Sequence, residues 1–257
     1  MTHTALITGA SAGLGAEFAR QLAAQGLRLV LVARREDRLQ AQAELLRAEF
    51  GVDCEWISAD LSDSAAGALI EKTLLDRDIS VDYLINNAGI AGPDLLQDRD
   101  WQAQREFYQL MMTSVAELCH RFIPAMVERG FGRVINIASV AGRIPRSGGC
   151  NYGPSKTYLV ALSEELNLTL SAQGVNVCAL CPGFTHTDFH ETAGLGPMKA
   201  KMPKWLWYGA NVVVSDGLKA VERGKSIAIS GRLYRVIDPF LQSVWTRRFF
   251  RIKARPD

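Results

Sequence analysis

The sequence predicts an α/β protein built on a doubly wound parallel sheet of about seven strands with helices on both faces. Three observations carry this. Short, apolar, partly β-branched runs alternate with longer stretches of helical period. The spacing leaves room for a helix between successive strands, which makes βαβ units with right-handed crossovers. A glycine-rich turn stands between the first strand and the first helix, at the end of the sheet where such folds hold a ligand.

Strands are expected at Thr4–Thr8, Arg28–Ala33, Asp53–Ser58, Val81–Asn86, Arg133–Ala138, Val175–Cys181 and Ser226–Ile229. Helices are expected at Leu14–Gln25, Glu36–Phe50, Ser64–Asp76, Trp101–Glu128, Cys150–Ala172 and Asn211–Glu222. No repeat or linker-like tract interrupts them, so residues 1–257 read as a single domain. Within it, 186–210 reads as a substrate lid and 231–257 as a C-terminal extension, packed on the sheet edge or on a partner subunit.

Composition narrows the function classes. Hydrophobic residues make up 48% and charged residues 22%, which excludes a disordered or collagenous chain. A net charge of +2 argues against wholesale nucleic-acid binding. No apolar run is long enough to cross a bilayer, and MTHTALITGA lacks the basic start of a signal peptide. The five cysteines are an odd number scattered through apolar segments, which fits reduced thiols and a cytoplasmic enzyme.

The first loop, Thr8-Gly9-Ala10-Ser11-Ala12-Gly13-Leu14-Gly15, reads as a phosphate cradle. A backbone approaching a pyrophosphate must shed Cβ atoms, and the following helix offers free N–H groups to the anion. Glycines at this spacing also suit an ordinary tight turn. An NAD site wants an acid at the end of strand two; here Ala33 is followed by Arg34 and Arg35. Guanidinium groups suit a 2′-phosphate, so NADP(H) is favoured over NAD(H), with Arg34 as the main contact. The alternative is that these arginines pair with Glu36 and Asp37. Asp60-Leu61 follows strand three and is expected to receive the adenine. Asn87, Ala88 and Gly89 end strand four with small residues where a ribose passes.

Tyr152 and Lys156 lie four apart on one helical face. A close ammonium favours phenolate and lowers the tyrosine pKa, which suits proton exchange with a carbonyl oxygen. Ser139, at the end of strand five, is placed to hold that oxygen. Taken alone, a Tyr/Lys pair at this spacing is more often an ordinary amphipathic contact.

Together, TGASAGLG at Thr8–Gly15, NNAG at Asn86–Gly89, Ser139, YGPSK at Tyr152–Lys156 and Pro182-Gly183 resemble the short-chain dehydrogenase/reductase family over about Thr4 to Asp188. The resemblance implies a Rossmann-like fold and Tyr152 as general acid/base. It implies Lys156 binding the nicotinamide ribose and acidifying the tyrosine, and Ser139 positioning the carbonyl. Pro182, Gly183 and Thr187 match the segment that holds the nicotinamide amide. Arg34 matches the NADP-preferring pattern, whereas the family's basic residue before the second glycine is replaced by Ala12. The resemblance also implies a homodimer or homotetramer built on the two long helices.

One departure concerns the family's asparagine thirteen residues before the proline matching Pro124, where this chain has Met111. A thioether cannot donate a hydrogen bond to the water that the asparagine helps hold. Either Thr113 or Ser114 rewires the relay, or proton exchange is impaired.

Other patterns rank lower. Cys178 and Cys181 form a CxxC at a strand end and are read as two buried thiols. His120, His186 and His190 lack metal-ligand spacing, so no metal is expected. Glycines, prolines and aromatics across His186–Tyr208 suggest a lid over an apolar pocket, or a static packing segment. The basic, apolar tail Arg247–Arg255 is read as a solvated helix or an oligomer contact before a membrane surface. The function expected is an NADP(H)-dependent oxidoreductase acting on a small-molecule ketone/aldehyde and its alcohol. The alternatives are a 3-oxoacyl thioester reductase and a cofactor-binding regulator without turnover.

Overall fold

A computed structural model describes residues 2–144, 150–186, 207–246 and 249. Strands β1 (Thr4–Thr8), β2 (Arg28–Ala33), β3 (Cys54–Ser58), β4 (Tyr83–Asn86), β5 (Gly132–Ile137), β6 (Val175–Cys181) and β9 (Ile227–Ile229) form one sheet. Their order is β3-β2-β1-β4-β5-β6-β9, every neighbour parallel. The expected seven-stranded, doubly wound sheet is therefore present. The chain starts in the middle, winds out to β3, then crosses back to β4, so the order reverses between β1 and β4. Their carboxyl ends diverge there into a crevice.

Each strand is apolar on both sides because both sheet faces are covered. Leu6, Val30, Val32, Leu84 and Val134 face one core layer, closed by helices α3 (Ala66–Asp76), α5 (Ser114–Glu128) and α6 (Tyr152–Leu170). Ala5, Ile7, Leu29, Leu31 and Ile85 face the other, closed by α1 (Gly13–Ala23), α2 (Glu36–Phe50) and α7 (Ala210–Glu222). Local chemistry sets the ends of these helices. Glu36 and Asp37 in the first turn of α2 complement its dipole, and Gly51 ends it in the left-handed region at φ +67°. Asp100 caps α4 (Trp101–Tyr108) by accepting from the Gln102 and Ala103 amides.

The structure departs from expectation in two places. Trp101–Glu128 is not one regular helix. A five-residue π turn, Gln109–Thr113, separates α4 from α5. It turns Met111 inward, where the sulfur accepts from the Ile90 amide, and the Ser114 hydroxyl donates to the Leu110 carbonyl. One inserted residue leaves the apolar period almost unchanged, so the sequence does not reveal it. The second departure is a small ribbon. β7 (Phe184–His186) pairs in parallel with β8 (Trp207–Gly209), with the Phe184 and Trp207 rings 5.3 Å apart. Most of the expected lid, 187–206, lies outside the described residues, as do His190 and most of the basic tail.

The CxxC reading holds. Cys178 packs into one core layer and Cys181 into the other, and burial pushes both thiols up to about 12. No cluster of metal-ligating side chains occurs among the described residues. No described helix is long and apolar enough to cross a membrane.

Candidate active site

The glycine loop has the backbone that its sequence implies. Gly9 and Gly13 sit at φ +63° and +57°, where side chains are rarely tolerated. A Cβ on Gly15 would lie 2.3 Å from the Gly9 carbonyl oxygen, so that glycine serves packing within the turn. Leu14 packs against the α1–α2 core layer. The first turn of α1 has no acidic side chain, and Ala12 at its N-cap offers no side-chain acceptor. The leading amides of α1 are thus available to an anion. Cradle, helix and crevice together fit a dinucleotide pyrophosphate.

The loop is braced from β4. The Asn87 side-chain amide donates to the carbonyls of Thr8 at 2.9 Å and Gly9 at 3.2 Å. The Thr8 hydroxyl accepts from the backbone amides of Asn87 (2.9 Å) and Ala88 (3.0 Å). Asn87, expected as a ligand contact, therefore ties the two strand ends across the switch point. Deeper down, Asn86 donates to Asn136 at 2.8 Å and Asn136 to Ser163 at 2.9 Å, a buried polar ladder across β4, β5 and α6.

At the end of β2 the two arginines diverge. Arg35 donates to the Ser11 hydroxyl at 2.9 Å and so faces the glycine loop. Arg34 lies 3.7 Å from the Asp60 carboxylate and is largely exposed. Neither pairs with Glu36 or Asp37 among the described residues, as the alternative reading required. The Ser62 amide and hydroxyl, with Arg34, hold Asp60 below the usual carboxylate range against the opposing effect of burial. Leu61 is buried in the core, so its backbone is what it offers a ligand.

Lys156 projects from α6 into the crevice. Its ammonium donates to the Ile137 carbonyl at the end of β5, at 2.7 Å, and the residue as a whole is 5% exposed. Burial pulls its pKa down to about 8, which leaves it charged at neutral pH. It stands 5.6 Å from the centre of the Tyr152 ring, one turn back on the same helix. Ser139 follows β5, and its hydroxyl oxygen accepts from the Ala141 amide at 3.1 Å, capping a short turn over Val140–Gly142. The Val140 amide in turn donates to the Pro182 carbonyl at 3.0 Å. Ser139, Tyr152, Lys156, Gly89 and Pro182-Gly183 thus converge at the carboxyl ends of β4, β5 and β6. Thr187 lies outside the described residues.

Met111 is in this crevice too. A Cβ added to Gly89 would meet the Met111 sulfur at 3.2 Å and the Lys156 nitrogen at 3.8 Å. The thioether thus fills space beside the ammonium and accepts the Ile90 amide at 3.3 Å. Met111→Leu keeps the volume and deletes that acceptor, leaving a part-buried amide unpaired. A loss of about 1 kcal/mol in unfolding free energy is expected, and equal denaturation midpoints for the two proteins would refute it.

Three neighbours were not read from the sequence. Asn151, 2% exposed beside Tyr152, accepts from the Tyr108 hydroxyl at 2.8 Å and donates to Gln104 and to the Pro93 carbonyl. Tyr234 packs its ring where a Gly183 side chain would go. Arg143, four residues after Ser139, forms a largely buried two-bond pair with Asp238 of helix α8 (Arg232–Gln242). Asn151 falls inside the expected helix Cys150–Ala172, where nothing local sets it apart. The last two depend on residues far away along the chain, which local pattern cannot pair.

A parallel sheet with a glycine cradle at its switch point, and an amine-backed phenol beyond it at the end of β5, defines an oxidoreductase of the hydride-transfer kind. The model for the short chain dehydrogenases matches residues 3–196. The chain belongs to the short-chain dehydrogenase/reductase family, whose members act on CH–OH groups. Among its relatives, the Escherichia coli 3-oxoacyl-(acyl-carrier-protein) reductase FabG is 32% identical over 247 residues, covering 90% of this chain and 97% of that protein. A Sphingobium yanoikuyae short-chain dehydrogenase, solved in complex with NADPH, is 35% identical with a TM-score of 0.82, covering 91% of each chain. The Comamonas testosteroni alcohol dehydrogenase specific for bulky-bulky ketones is 32% identical with a TM-score of 0.78, covering 93% of this chain and 92% of that one.

Proposed function

We propose that the protein is an NADP(H)-dependent carbonyl reductase/alcohol dehydrogenase for a small-molecule ketone or aldehyde with bulky apolar flanks. The observation that carries this reading is the buried Lys156 ammonium beside Tyr152 in the crevice that the glycine cradle opens. A bound dihydronicotinamide supplies the hydride. The chain's own residues handle oxygen and proton. Ser139 orients the carbonyl oxygen, and Tyr152 donates its phenolic proton to that oxygen as negative charge develops there. Lys156 stabilises the phenolate that remains, and in the reverse direction the phenolate takes the proton back. Pro182 and Gly183 border the nicotinamide side of the site, and Gly9, Ser11, Gly13 and Gly15 the pyrophosphate side. Asp60-Leu61 receives the adenine, and Ala88 and Gly89 line the path of the ribose.

Arg34 and Arg35 bracket the place for a 2′-phosphate, with the Ser11 hydroxyl between Arg35 and the cradle. The NADPH bound by the Sphingobium relative supports that choice. Arg34→Asp and Arg35→Asp are each expected to weaken NADPH binding about tenfold to a hundredfold and NADH binding little, since charge-assisted bonds to one phosphate are lost. Fluorescence titration of both nucleotides checks this, and equal losses for the two would refute the assignment.

A 3-oxoacyl thioester is the second substrate reading, favoured by the relative named for that activity. NADPH oxidation against bulky ketones and against 3-oxoacyl thioesters separates the two. Higher kcat/KM on ketones supports the first reading and higher kcat/KM on thioesters replaces it. Tight NADPH binding with no oxidation of any carbonyl would mean a cofactor-binding regulator.

A further inference from the structure

The head of helix α6 is held by a buried network to which the reaction above assigns no role. Asn151 stands at the N-cap of α6, directly before Tyr152, yet its side chain makes no capping bond. An asparagine there ordinarily accepts from the first amides of its own helix. Here the side-chain amide is committed to three other partners. Its oxygen accepts from the Tyr108 hydroxyl at 2.8 Å. Its two N–H groups donate to the Gln104 side-chain oxygen and, at 3.1 Å, to the Pro93 carbonyl. The Gln104 amide in turn donates to the carbonyls of Asp94 at 3.0 Å and Asp98 at 3.4 Å. Asn151 and Gln104 are both buried. The oxygen and both amide hydrogens of Asn151 are used, so the network admits one orientation of that side chain.

Three pieces of chain are joined in this way: the loop after β4, helix α4 and the start of α6. The loop is fixed at a second point, because Gly92, at φ +80°, leaves the space that the Phe107 ring of α4 fills. Cys150, before Asn151, sits at φ +48°, in the left-handed region that residues with side chains rarely adopt. Such a conformation persists where its surroundings over-determine it, and the bonds of Asn151 supply that constraint. Beyond Tyr108 the chain enters the π turn that sets Met111 beside Lys156. One continuous segment therefore grips α6 just before Tyr152 and lies against Lys156 one turn later.

We propose that Asn151 is a positioning residue: tied to Tyr108, Gln104 and Pro93, it fixes how α6 leaves the preceding loop and so where the Tyr152 phenol stands against the substrate oxygen. The inference rests on the reading of Tyr152 as the proton donor. A donor must come within hydrogen-bond reach of the atom it serves, and misplacement by about 1 Å costs about a hundredfold in rate. A backbone free to pivot at Asn151 would spread the phenol over such distances and let it leave the Lys156 ammonium. A network that served the fold alone would affect stability and leave the chemistry untouched.

The test compares Asn151→Ala and Tyr108→Phe with Asn167→Ala, all in the full chain. Asn167 is a buried asparagine about four turns further along α6. Its side chain donates to the Gly224 carbonyl at 3.1 Å and accepts from the Val177 amide at 2.9 Å. All three substitutions should lower the thermal midpoint. Asn151→Ala should also lower kcat for NADPH-dependent ketone reduction by about tenfold to a hundredfold, with KM for NADPH within about twofold. Its fall in kcat at alkaline pH should move up by about half a pH unit or more, because a phenol further from the ammonium is harder to ionise. Tyr108→Phe should shift the profile the same way, with a loss of about threefold in kcat for the one bond removed. Asn167→Ala should change neither kcat nor the profile. An Asn151→Ala protein that binds NADPH and keeps the natural kcat and pH profile overturns the proposal. So does an equal loss of kcat in Asn167→Ala, which would make the effect one of stability. If Asn151→Ala does not fold, Tyr108→Phe decides by the same criteria. Full turnover by Tyr152→Phe would instead overturn the reading of the phenol itself. An inactive Tyr152→Phe beside an unaffected Asn151→Ala sinks the positioning role alone.

Discussion

Replacing Tyr152 with Phe is expected to lower turnover by about 10²–10⁴-fold, the usual worth of a positioned general acid. The ring stays, so its packing at the head of α6 and the contact with the Lys156 ammonium at 5.6 Å are retained. Only the ionisable hydroxyl goes. NADPH affinity and the thermal midpoint should therefore remain near those of the natural sequence, and the loss should fall on kcat. Single-turnover measurement of the hydride step with saturating NADPH checks this. A Tyr152→Phe enzyme that reduces its best ketone at close to the natural rate would remove the phenol from the mechanism, and with it the reason for a buried amine beside it.

Lys156→Met should separate function from stability. Turnover is expected to fall by about a hundredfold or more, because the phenolate loses its nearest cation. Stability is expected to rise at neutral pH. The buried ammonium titrates at about 8 in the fold against 10.5 for the free side chain. The folded protein thus binds that proton less tightly than the unfolded chain does. The resulting penalty is fully present below about pH 8, falls away between about 8 and 10.5, and is absent above. Its size is about 3 kcal/mol at 1.36 kcal/mol per unit. Losing the bond to the Ile137 carbonyl offsets about 1 kcal/mol of that gain. Denaturation of both proteins at about pH 7 and about pH 10.5 should show the variant more stable by about 2 kcal/mol at the lower pH. At the higher pH that advantage should be gone. A variant less stable than the natural protein at neutral pH would mean that the amine is held for the fold and not at its expense.

Much of the site was legible because its parts are local. The glycine loop is eight consecutive residues whose backbone needs are written in their missing side chains. Tyr152 and Lys156 are one helical turn apart, and a helix needs no tertiary information to put them on one face. Arg34 and Arg35 follow β2 directly, and the basic doublet is visible without a fold. Which arginine turns toward Ser11 was not visible, because that depends on how the first two strand ends meet. Met111 shows the same boundary. Its position could be counted from Pro124, but its grip on the Ile90 amide arises from a π turn that leaves no mark in the apolar period.

The alternation of strand and helix, the order of the motifs and the chemistry available at the crevice were set by the sequence alone, through propensity, period and residue type over a few neighbours. Tertiary structure decided the rest. It made Asn87 the tie between β1 and β4, and it placed Tyr234 on Gly183 and Asp238 on Arg143. It also left the outer face of α8 open to solvent. Such pairings join residues tens of positions apart, whose meeting depends on strand order and helix packing. Pattern along the chain carries no distance information of that kind.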